Sequence, residues 1–109
     1  EQERIILVES FHRAARIRLP DGKLHAAIHA VVENQIAMQH PPVVRAMRRL
    51  AGQGLSRHDC IHAIASVLTR HFYAAMTTGP DATAGALGAQ YDAAVERLTA
   101  AGWLAQADE

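Results

Sequence analysis

The sequence predicts an all-α fold, a small bundle of four to five helices, and three observations carry that reading. Apolar residues recur at three- and four-residue spacing along a chain rich in Ala, Leu, Val and Ile. No run alternates apolar and polar residues between hairpin turns, as a half-buried strand would. Proline, glycine and serine divide the chain into segments of helical length. At 109 residues the chain is read as one helical domain, 1–109, with its core region over 24–76.

The first segment, Glu3 to Arg18, turns Ile6, Phe11, Ala14 and Ile17 toward the core and stops before Pro20-Asp21-Gly22. That tripeptide is turn chemistry: Pro fixes φ, Asp bonds its own backbone and Gly accepts positive φ. The next helix is expected from Lys23 to Gln39, with Leu24, Ile28, Val31, Val32 and Ile36 inward. His40-Pro41-Pro42 forms a corner, because proline cannot sit in a helix interior yet suits its first turn. A short helix from Val43 to Ala51 ends at Gly52-Gln53-Gly54. Ser56 then stands as an N-cap with Asp59 three residues on, opening a helix that runs to Met76. From Thr77 to Gly88 the composition turns to Thr, Gly, Pro, Asp and Ala, and a mobile connection is expected. A last helix carries Leu87, Tyr91, Val95 and Leu98 on one stripe, with Ala101, Trp103 and Leu104 closing the end.

Composition narrows the function. Eleven basic residues balance eleven acidic ones, so no net field draws the chain to nucleic acid or an anionic membrane. Arg45, Arg48 and Arg49 precede Gly-Leu-Ser and a helix, in outline a helix-turn-helix. The recognition position nevertheless begins Ser-Arg-His-Asp-Cys, without several base-reading side chains. This arginine cluster and that of Arg13, Arg16 and Arg18 read as solvated faces or ion-pair partners. No apolar run approaches a membrane span, and no apolar export signal opens the sequence. The lone Cys60 forms no disulfide within the chain and reads as a buried thiol, so a cytoplasmic setting is expected. No organic cofactor is indicated.

The chemistry lies in two His-x-x-x-His pairs, His25/His29 and His58/His62. Residues four apart share one helix face, so each pair can aim two imidazoles at one point, and neutral imidazole is the commonest metal ligand. If the chain runs up, down and up, the helices bearing the pairs are parallel and both pairs sit level in their first turns. The N-terminal dipole there disfavours imidazolium and keeps the rings able to ligate. A wheel count puts His25 just inside the apolar arc and His29 at its edge, while His58 and His62 flank the arc of Ile61, Ile64, Leu68 and Phe72.

Glu33 continues the series His25, His29, Glu33 at about 6 Å per step and is an optional carboxylate ligand. Gln35 falls inside the apolar arc, so it should be buried and hydrogen-bonded, either to backbone or orienting a ligand. Asp59 belongs to the cap of Ser56. His12, His40 and His71 have no histidine partner four residues away and read as caps, surface residues or core-edge residues. The ferritin-like di-iron pattern needs several Glu residues with Glu-x-x-His pairs, and with no such pair among the core positions that centre is not expected; a His-rich set suits Zn, Ni, Cu or Fe.

The stretch Leu24 to Pro42, LHAAIHAVVENQIAMQHPP, resembles the signature of a family of small bacterial helical proteins, domain of unknown function 1841. That signature has two histidines four apart, a Glu four later, a Gln two further on and a Pro-Pro corner, met here by His25, His29, Glu33, Gln35 and Pro41-Pro42. His58 and His62 match its second pair, so the likeness extends to Phe72. It implies a helical fold and no settled activity. Ala65 and Ser66 stand where that pattern has an acidic residue, which argues against a carboxylate-bridged dinuclear centre.

Two readings of function stand at this level. In one, a divalent transition metal (Zn, Ni or Fe) is held by His25, His29, His58 and His62, with Glu33 optional; whether such a site is structural or catalytic stays open, and Glu33 is the one general base in view. In the other, the chain is a metal-free interaction module that forms a homodimer through an apolar helix face, its histidines serving as caps and core-edge groups.

Overall fold

A computed structural model describes residues 21–78 and 84–107. Among the described residues there are five helices and no strand: α1 (Asp21–Ala37), α2 (Pro41–Gly52), α3 (Arg57–Thr78), α4 (Ala84–Arg97) and α5 (Ala100–Ala107). The all-α bundle is therefore observed. The segment from Glu3 to Arg18, with His12 and its arginines, lies outside the described residues, as does the middle of the expected mobile connection.

The corners are built from local chemistry. At the end of α1, Gln39 takes a left-handed φ of 58°. The His40 amide donates to the Gln35 carbonyl at 2.9 Å and the Gln39 amide to that of Ile36 at 3.0 Å. This is the paired closure of a Schellman stop, made here without glycine, and Pro41 and Pro42 then start α2. The same closure ends α2: Leu55 donates to Leu50 and Gly54 to Ala51, both at 3.1 Å, with Gly54 at φ 102°. Ser56 caps α3 as expected, its Oγ accepting from the Asp59 amide at 3.1 Å.

One core joins the helices. Ile28 and Val32 of α1 meet Val43, Ala46 and Leu50 of α2, Ile61, Ile64, Leu68 and Phe72 of α3, and Tyr91 and Val95 of α4. Removing such side chains from water stabilises the fold by about 1.5–3 kcal/mol each. Gln35 lies among them, and its Oε1 accepts the Tyr91 hydroxyl at 2.8 Å. Of the two roles open to Gln35, neither backbone bonding nor ligand orientation is the one seen; it ties α1 to α4. Cys60 is buried, as expected, and burial raises its thiol pKa.

Helices α2 and α4 lie side by side in the same direction, because their contacts climb together. His40 bonds Asp92 at 2.8 Å, Arg45 forks onto Glu96, and Arg49 donates to the carbonyls of Val95 and Leu98 at 2.7 and 2.9 Å. His40 is thus a buried tie between helices rather than a side-chain cap. His71 bonds the Val67 carbonyl of its own helix at 2.9 Å.

Several expectations are corrected. Asp21 and Gly22 already belong to α1 instead of forming a turn, and α3 runs on to Thr78. Helix α4 begins at Ala84, within the stretch read as a connection, because buried Gly88 lies one turn from the Tyr91 anchor and packing overrides glycine's poor propensity. The last expected helix is two: Thr99 interrupts it, its Oγ1 accepting the Gly102 amide at 3.0 Å, while Gln53 Oε1 accepts the Ala100 amide at 2.7 Å. Leu104, expected to close the end, is half exposed at 49%.

Candidate metal centre

Three of the four paired histidines, His25, His29 and His62, come together, by a different route from the one expected. Moving up α1, its contacts descend α3. His25 shares a cleft with His62, Ala65, Ser66 and Thr69; His29 meets His62; Glu33 pairs with Arg57. Parallel helices with level first turns would show the opposite order. Helix α2, at 12 residues, is shorter than α1 at 17 and α3 at 22, and the contacts of α1 and α3 run in opposite directions along the two helices. His62, one turn into α3, is consequently the residue on which both histidines of α1 converge.

The ring centroids of His29 and His62 are 4.4 Å apart, those of His25 and His29 4.4 Å, and those of His25 and His62 5.5 Å. One ligating nitrogen from each of these three residues lies within 4.8 Å of the others. Zn–N bonds of 2.0–2.1 Å in a tetrahedron need nitrogens about 3.4 Å apart, closer than the 4.8 Å within which these three lie. His58 stacks on His62 at 4.3 Å but is exposed and stands beside the three rather than among them. Glu33 is also outside the group; its Oε1 accepts from Arg57 at 3.0 Å on the exposed flank.

The electrostatics favour neutral rings. Burial lowers the His29 pKa first, the neighbouring His25, His62 and His58 lower it further, and Glu33 opposes them. His62 is likewise lowered by burial and then by His58 and His25, against the pull of Asp59. Neutral imidazole is the form that ligates, so the cluster suppresses the competing proton. Most telling is His29 Nε2, a buried nitrogen with no hydrogen-bond partner among the described residues. Such an atom costs about 1–3 kcal/mol, and a bound cation would satisfy it.

The residues that sequence reasoning did not assign to this site are Arg70 and Trp103, which line the same cleft as His25 and His62. Arg70 lies two turns beyond His62 on α3, a spacing visible in the sequence once the pair is taken as an anchor. Trp103 gave no such signal, because its place depends on the Thr99 break that redirects α5.

No helix among the described residues is long and apolar enough to cross a membrane. No family model, curated protein or solved structure matches this chain.

Proposed function

We propose that this chain binds a divalent transition metal through His25, His29 and His62, between α1 and α3. The observation that carries the reading is the grouping of one ligating nitrogen from each of three histidines within 4.8 Å of the others, with His29 Nε2 buried and without a hydrogen-bond partner among the described residues. An all-imidazole donor set suits Zn, Ni or Fe better than Mg or Ca, which prefer oxygen. Three protein ligands leave a fourth position, the arrangement of catalytic rather than closed structural zinc sites. His58 can swing into that position or leave it to an outside ligand; Glu33, held by Arg57, serves the site through its charge. The spacing of His25, His29, Glu33 and Gln35 supports membership of the domain of unknown function 1841 family as part of the same proposal.

Elemental analysis of untagged protein tests the reading, with one metal per chain expected and a rise in melting temperature on adding Zn, Ni or Fe. A stoichiometry well below one with an unchanged melting temperature would return the histidines to the metal-free, dimerising alternative. His29→Ala and His62→Ala should each abolish most binding without adding to one another, since both remove the same site. His58→Ala should weaken it only several-fold.

A further inference from the structure

We infer that the metal centre opens on a ligand cleft suited to a small organic dianion, one end of which meets the ion and the other Arg70. The inference rests on the metal reading above. A cleft of about 410 Å³ is lined by His25 and His62 together with Ala65, Arg70, Trp103 and Gln106. That volume falls in the range of small-molecule sites. His29 presents a buried nitrogen, whereas His25 is exposed and lines the cleft with His62, so an ion held by the three has the cleft on its open side.

Charge selects the ligand class. Three neutral imidazoles leave the full double charge of a divalent ion uncompensated, and Arg70 adds another positive charge. Among the described residues no acidic side chain lines the cleft, and the carboxylate of Glu33 is turned to Arg57. The hydroxyls of Ser66 and Thr69 already donate to the carbonyls of Ala63 and Ala65 at 2.7 and 2.8 Å, so they can only accept. The remaining donor-bearing side chains of the lining are those of Arg70, Trp103 and Gln106. Ala65 and the Trp103 ring give the ligand's middle an apolar wall.

Length follows from the helix. Eight residues separate His62 from Arg70, a rise of about 12 Å, and a helical side chain leans toward the N-terminus, leaving roughly 6–8 Å for the ligand to bridge. A five-carbon dicarboxylate spans that interval; acetate does not.

The test uses the full chain loaded with cobalt(II), whose visible bands report its coordination, and glutarate as the probe. Trp103 is the sole tryptophan, so its fluorescence reports the cleft alone. Glutarate should change the cobalt bands and the Trp103 emission over one concentration range, at least tenfold below that needed for acetate. Arg70→Met, a change at an exposed position, should raise the glutarate midpoint about tenfold while leaving cobalt affinity and helicity unchanged. Stoichiometric cobalt binding with glutarate no better than acetate, or with no effect of Arg70→Met, would overturn the dianion cleft and leave the metal centre standing. Failure to bind cobalt would overturn both.

Discussion

Replacing His29 with Leu should make the metal-free protein more stable while destroying its metal site. The side chains are of similar size, so the change removes the buried, unpartnered Nε2 without opening a large cavity. Relief of an unsatisfied polar atom is worth about 1–3 kcal/mol, and because His29 is only partly buried the lower end, about 1 kcal/mol, is expected. For a domain of this size that is a rise of about 4–8 °C in melting temperature. Metal should reverse the ranking. At a free concentration one hundred times the dissociation constant, binding stabilises the wild type by about 2.7 kcal/mol, and the variant, with its site removed, gains little. The assay is a pair of thermal melts for each protein, in chelator and in excess Zn or Ni. A variant less stable than wild type in chelator would refute the reasoning, since the imidazole would then be a group that the fold itself requires.

The remaining predictions concern the cluster and the frame around it. Because the folded-state pKa values of His29 and His62 are lowered, the unfolded chain binds more protons near and below pH 6.5; apo stability should be full above that value and fall on acidification, less steeply in His29→Leu, as urea melts at pH 7.5 and 5.5 would show. Tyr91→Phe leaves Gln35 Oε1 buried without its donor and should cost about 1–3 kcal/mol by urea denaturation, and adding Gln35→Leu should recover part of the loss. Gly54→Ala meets no atom within 4 Å, so its cost of about 1–2 kcal/mol should come from the backbone at φ 102° alone and leave metal binding untouched.

The fold class and most boundaries were legible because they rest on local chemistry. Ser56 with Asp59, Pro41-Pro42, and Gly54 state their roles within a few residues of themselves, and the structure keeps each one. Gln35 was legible as buried, since periodicity fixes its face, but its partner Tyr91 is fifty-six positions away and no spacing rule reaches that far. The site was legible as spacing and not as placement. Four residues between histidines on a helix guarantee a shared face, yet which histidines meet depends on how α1 is laid over α3. The corner that leads out of α1 turns on a positive φ at Gln39, and Gln is not a residue that announces one. The stretch before Tyr91 misled for the opposite reason, its glycines and threonines advertising a loop where tertiary contact holds a helix.

The Arg49 guanidinium, bonded to the carbonyls of Val95 and Leu98, clasps the joint at which α4 stops and α5 starts. Helix α5 carries Trp103 to the mouth of the histidine cleft, so one wall of that cleft is hung from a hinge whose pin belongs to α2, a helix that contributes nothing to the cleft lining. Variation at position 49 would act as a coarse adjustment of access, while the imidazoles keep their places on α1 and α3.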